Sequence, residues 1–153
     1  LIDWSRPTGD TTGPHVTRNV DSAEFRGLEA ELELPSLADI EVKFRGSWLS
    51  LESSVAEGFE SRYALRPLAE TTTLLVDRVA GLVRGGLRVS RYRRVGDEEG
   101  AYTLADARLS VDVGEVRIWS DLRNALDTEY RDIVSNPAPG RSFTIGLEWN
   151  RVR

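Results

Sequence analysis

Residues Ser142 to Asn150 alternate without a break. Phe143, Ile145, Leu147 and Trp149 fall on one side, and Ser142, Thr144, Gly146, Glu148 and Asn150 on the other. A period of two is the signature of a β-strand, and an apolar side beside a polar one means that the strand meets two different surroundings. In a soluble sandwich the apolar side meets a core. In a membrane β-barrel it meets lipid. Which of these two environments applies decides what such a chain can do.

The same period recurs along the chain and predicts about eight strands. A short first strand covers Leu1–Arg6. A second runs from Ser22 to Leu34, with Leu28, Ala30, Leu32 and Leu34 opposed to Glu29, Glu31 and Glu33. Ile40–Glu52 sets Ile40, Val42, Phe44 and Trp48 against Glu41, Lys43, Arg45 and Ser47. Leu68–Arg78, Val83–Arg94, Tyr102–Val113 and Val116–Arg123 follow, although Trp119 sits on the polar parity of its strand. Helices are disfavoured, because residues at every second position would spread the glutamates around most of a helical circumference. The expected fold is all-β, and Gly85-Gly86 within a strand suggests close packing or a bulge.

No run approaches the length of about 18 apolar residues that a membrane-spanning helix needs. That leaves β-barrels open, since their strands are only half apolar. The net charge of −5 argues against nucleic acid as a partner. The absence of cysteine removes disulfides and thiolate metal sites. Lys43 is the only lysine among 20 basic residues, which codon bias explains.

The connections add a second pattern. Pro7–Asp21, Ser53–Arg66 and Asn124–Gly140 are long, Val95–Ala101 is medium, and Pro35–Asp39, Val79–Leu82 and Gly114-Glu115 are short. Long and short alternate, so in an up-and-down sheet one rim carries loops and the other tight turns. Outer-membrane barrels have that asymmetry, whereas Greek-key sandwiches have no reason to produce it. The charged side (Glu29, Glu31, Glu33, Glu41, Lys43, Arg45, Asp106, Arg108, Asp112, Arg117, Asp121 and Glu148) suits either a half-solvated sheet or a water-filled lumen. Phe143 and Trp149 stand where interfacial aromatics would be expected.

At this point the residues resemble a family. Asn124-x-Leu126-Asp127-x-x-Tyr130, followed by Pro139-Gly140-Arg141 and a last amphipathic strand, resembles the C-terminal end of TonB-dependent outer-membrane receptors. Arg26-Gly27-Leu28-Glu29 and Tyr63-Ala64-Leu65-Arg66-Pro67-Leu68 are similar to two further strand-opening segments of that family. The resemblance implies that residues 1–153 are the C-terminal part of a larger barrel of about 22 strands, without its plug domain. It implies a bacterial outer-membrane location and energised uptake of an iron–siderophore complex, cobalamin or a similar scarce nutrient. The partners implied are lipid, the N-terminal plug, the small-molecule nutrient and the TonB complex, the last not through this segment. The family usually ends on an aromatic residue, whereas here Asn150-Arg151-Val152-Arg153 follow Trp149.

The sequence offers no catalytic, cofactor or metal residues, and ligand-binding residues are not identifiable from it. His15, the only histidine, lies in a long loop and reads as solvent-exposed. Asp97-Glu98-Glu99 reads as a solvated turn before a cation site. The alternative reading is a soluble eight-stranded barrel or sandwich that binds a small apolar ligand, with the opposite side of each strand wet. A third is a stand-alone eight-stranded membrane barrel.

Overall fold

The structure is a computed structural model, and it describes residues 2–10, 12–19, 22–54, 58–61, 67–95, 100–133 and 136–149. Among them there is no helix. Seven strands form one antiparallel sheet: β3 (Ser22–Leu37), β4 (Ile40–Ser54), β6 (Leu68–Ala80), β7 (Val83–Arg94), β8 (Tyr102–Val113), β9 (Val116–Arg123) and β12 (Ser142–Trp149). Their spatial order is β12-β9-β8-β7-β6-β4-β3, so each pairs with its neighbours in sequence, as in an up-and-down meander. The sheet is open, with β3 and β12 at its two edges.

Three two-residue turns, Ala38-Asp39, Gly81-Leu82 and Gly114-Glu115, close one end. Gly81 and Gly114 have φ of +60°, a region that glycine enters without the steric penalty of a Cβ. The long connections all lie at the other end. Residue 35 is a proline, which lacks the N–H that a ladder needs, and the β3–β4 register shifts between Leu34 and Leu37. The strand therefore continues past Leu34, where the sequence suggested a turn.

The expected first strand is not an eighth member of this sheet. β1 (Ile2–Pro7) pairs instead with β2 (Val16–Asn19) and β5 (Phe59–Ser61), two short strands from the loops. A two-stranded pair, β10 (Arg131–Ile133) with β11 (Asn136–Pro137), lies within the last long loop. These short strands carry too few residues to show a period. Gly85-Gly86 is not a bulge: both glycines sit in regular register opposite Arg78 and Asp77.

The register aligns the two faces across the whole sheet. One hydrogen-bonded row, Leu34–Val42–Val76–Leu87–Ala107–Leu122–Phe143, is apolar in all seven strands. On β3 the apolar stripe extends from that row mainly toward the loops, through Leu32 to Leu28, and toward the turns only to Leu37, opposite Ile40. On β12 it extends from that row toward the turns, through Ile145 and Leu147 to Trp149. Ile40–Trp48, Val83–Val89 and Ala105–Val113 lie between these limits, and Arg78 interrupts the stripe on β6. The loop-side edge of the apolar band therefore crosses the rows obliquely, shifting six residues over six strand-to-strand steps from Leu28 to Phe143, while the turn-side edge, from Leu37 and Ile40 to Trp149, shifts by fewer. With about 3.3 Å per residue and about 4.8 Å between strands, the obliquity of the loop-side edge is roughly 35°.

Apart from Ala105 at its loop-side end on β8, the band is uncovered among the described residues. Leu147 is 74% exposed, Leu28 65% and Ile145 64%, and Ala69 and Ala105 are the only buried hydrophobic residues among those described. The band ends abruptly toward the loops. On the same face beyond it stand Glu24, Arg26, Glu52, Glu70, Arg91 and Arg93, with Arg26 2.9 Å from Glu24 and Arg93 3.2 Å from Glu70. On the opposite face at that level the polarity inverts, and Phe25 pairs with Leu51 and Gly27 with Leu49.

Candidate functional site: the charged face and its loop rim

The register places Glu29, Glu31, Glu33, Glu41, Lys43, Arg45, Asp106, Arg108, Asp112, Arg117, Asp121 and Glu148 on one face, as the alternation implied. Opposite charges meet across strands. Arg45 Nε lies 2.6 Å from Glu31 and Lys43 Nζ 3.1 Å from Glu33. Near the turns Asp112 takes Arg117 at 2.7 Å and Arg84 at 3.0 Å, and Arg117 reaches Glu148 at 3.6 Å. Arg108 approaches Asp121 at 3.4 Å. Pairs this exposed each contribute little to stability.

Trp119, out of place in the strand pattern, is explained here. It stands opposite Gly146, and its ring occupies the space that a Cβ at 146 would need. The Arg108 guanidinium lies 5.2 Å from the centroid of the same ring. In the same way the Asp77 carboxylate fills the space over Gly86.

A depression of about 460 Å³ opens on the charged face, lined by Glu29, Glu31, Arg45, Ser47, Thr71 and Thr73 together with Ala30 and Gly46. Its central row continues along the sheet as Glu29–Ser47–Thr71–Tyr92–Tyr102. The Tyr92 and Tyr102 rings are 5.4 Å apart, and Tyr130 stacks on Tyr102 at 4.9 Å.

The segment from Asn124 to Arg141 is tied down at both ends. Asn124, 4% exposed with φ +49°, donates its backbone N–H to Asp106 Oδ1 at 2.9 Å. Its side chain spans a turn: Nδ2 donates to the Thr128 carbonyl and Oδ1 accepts the Thr128 N–H, each at 2.9 Å. Thr128 Oγ1 donates to the Thr103 carbonyl at 2.8 Å. Asp127 Oδ1 accepts the Arg141 N–H at 2.8 Å. Asn124, Asp127 and Arg141, three of the residues that carry the sequence resemblance, thus hold the connection between β9 and β12. The sequence marked these positions as a motif without revealing these bonds.

In the first loop Asp10 Oδ1 accepts N–H bonds from Gly13 at 2.7 Å and Thr12 at 3.0 Å. Those bonds, that from Gly13 foremost, hold its carboxyl below the ordinary carboxylate range. His15 is half-buried just before β2, more enclosed than a freely solvated loop residue. Asp97-Glu98-Glu99 and Tyr63–Arg66 lie outside the described residues. Among the described residues no cluster of three potential metal ligands exists.

Fold and face together define an open, up-and-down antiparallel sheet with one uncovered apolar side and one charged side. Among the described residues no helix is long and apolar enough to cross a membrane, which has no bearing on a β-barrel. No protein-family model matches the chain, and neither a curated protein nor a solved structure gives a match.

Proposed function

We propose that this chain forms part of the wall of an outer-membrane β-barrel receptor of the TonB-dependent class, which takes up a scarce nutrient. The observation that carries the reading is the oblique, uncovered apolar band. Strands of a closed barrel tilt by about 35–45° from the barrel axis, so a level lipid layer must cut obliquely across their hydrogen-bonded rows. The loop-side edge of the band, at roughly 35°, agrees with that geometry. The stripes run about 20–27 Å along the strands, comparable with a lipid band about 25 Å tall.

The rest follows from that orientation. The charged face lines a wet interior, the two-residue turns face the periplasm, and the long loops face outward, where a nutrient first arrives. The Asn124–Arg141 closure, which resembles the family's C-terminal element, sets the last strand. Energy from TonB and the plug belong to the full-length protein. A soluble eight-stranded binder would place the apolar face against a core, and the uncovered band speaks against it.

The test compares two substitutions in the full-length protein. Leu147→Arg is expected to cost about 2–4 kcal/mol if that position meets the membrane midplane. Glu148→Gln, on the other face, loses only a long ion pair with Arg117. Heat-modifiable gel mobility after folding into bilayers reads both. Equal tolerance at the two positions would refute the lipid-facing assignment.

A further inference from the structure

We propose that Arg78 and the notch over Gly85 form a binding site for one glycerophospholipid of the turn-side leaflet. Its phosphate diester sits on the guanidinium and one acyl chain lies over the glycine. The inference rests on the reading above in that the apolar band faces lipid. Among the described residues Arg78 is the one charged residue within that band. It is exposed, and its guanidinium takes part in no hydrogen bond or ion pair among them. The acidic residues that the strands place on this face, Glu24, Glu52 and Glu70, all stand at the loop end. Asp39, in the adjoining turn, forms no ion pair among the described residues either. A cation in an apolar band without a protein counter-ion calls for an anion from outside.

The notch is a separate observation. Arg78 stands opposite Gly85 on β7, and Gly85 opposite Leu109 on β8. Other strand glycines are overlain: Trp48 lies over Gly46, Trp119 over Gly146 and the Asp77 carboxylate over Gly86, and Leu49 crowds Gly27. Over Gly85 an added Cβ would meet only a Leu109 methyl, at 4.0 Å. The gap is therefore open, flanked along β7 by Val83 and Leu87 and across the ladder by Leu109. A hydrocarbon chain fits such a gap, and its dispersion contacts replace those of the missing side chain.

The position along the strand suits a headgroup. From Arg78 to Ala80, the last residue of β6, is about 7 Å. An arginine can lay its stem along apolar surface over that distance and carry its charge to the edge of the hydrocarbon layer. There a guanidinium matches a phosphate through two parallel hydrogen bonds. The acyl chain runs from that edge toward the loops, past Val83 and over Gly85.

The experiment is native mass spectrometry of the full-length protein, delipidated in detergent and titrated with phosphatidylglycerol. The tightest-bound lipid is expected to saturate. Arg78→Gln should weaken it about fivefold, the worth of one basic residue at an anionic membrane surface. Gly85→Leu, which fills the notch, should weaken it several-fold, and Arg78→Lys should retain part of the affinity. Diacylglycerol, which lacks the phosphate, should not compete. Arg91→Gln, on the same face beyond the band, should leave binding unchanged. Absence of saturable binding, competition by diacylglycerol, or indifference to either Arg78→Gln or Gly85→Leu would overturn the site. If Gly85→Leu does not fold, Gly85→Ala, which fills less of the gap, is read in its place. A spin label at Leu147 in bilayers separates the two claims. A lipid-exposed label without phospholipid binding refutes the site alone, whereas a label shielded from lipid refutes the lipid-facing wall as well.

Discussion

Asp127 Oδ1 accepts the backbone N–H of Arg141 at 2.8 Å, and Asp127 Oδ2 lies 3.6 Å from the Arg141 guanidinium. One side chain thus fixes both the main chain and the side chain of the residue that opens the last strand. Asp127 itself adopts φ +54°, a left-handed conformation that aspartate tolerates better than most residues. Between the two lies Gly140, where an added Cβ would come 3.1 Å from Asp127 Oδ1.

Asp127→Ala is therefore expected to destabilise the β9–β12 pairing by about 1–2 kcal/mol, and Asp127→Asn by less, since it keeps an acceptor. Hydrogen exchange at the Arg141 amide reads this directly. Unchanged protection in Asp127→Ala would remove the residue from the closure.

Asn124 carries a greater share. It is buried, and its side chain satisfies both backbone groups of Thr128. Asn124→Ala strands those groups and forces alanine to φ +49°, an expected cost of about 2–4 kcal/mol. Asn124→Gly relieves the backbone term and should recover about 1 kcal/mol of it. Denaturant midpoints for the pair separate the two contributions.

Gly146 and Trp119 form a matched pair, since the ring fills the space over the glycine. Gly146→Val should displace the indole and destabilise the sheet by about 1–3 kcal/mol. In Trp119→Ala the same valine should be tolerated, so a double-mutant cycle gives a large coupling energy. Additive costs would mean that the ring does not rest there.

The first loop should respond to acid. Because its folded-state carboxyl lies below the ordinary range, Asp10 stabilises the loop turn at pH above the ordinary carboxylate pKa, and this contribution is lost as pH falls through the lowered value. The Gly13 and Thr12 amide resonances should shift together over that acid range. In Asp10→Asn they should not titrate with it.

Much of the fold was legible because strand alternation is local. The seven strands of the main sheet, the alternation of turns and loops, and the membership of the charged face can all be read from residue parity. What the sequence hid depends on pairing between distant residues. β1 reads as a strand, but its partners Val16–Asn19 and Phe59–Ser61 are too short to reveal themselves. Trp119 breaks its strand's pattern until Gly146 is placed opposite it. The row from Glu29 to Tyr102 joins residues up to 73 positions apart, and no local reading assembles it. Pro35 shows how a proline can read as a turn and prove to be a bulge.

The obliquity of the apolar band gives the most direct test of the lipid-facing wall. Leu34 and Phe143 share one hydrogen-bonded row. In a tilted barrel wall they must nevertheless differ in depth, with Phe143 at the loop-side edge of the lipid layer and Leu34 nearer the turns. Spin labels at Leu28, Leu34, Phe143 and Trp149 in the full-length protein, reconstituted in bilayers, report depth through the ratio of oxygen to polar-relaxer accessibility. All four labels should be lipid-exposed, with Phe143 matching Leu28 in depth and Leu34 matching Trp149. Equal depths for Leu34 and Phe143, or shielding of the four positions from lipid, would contradict the account.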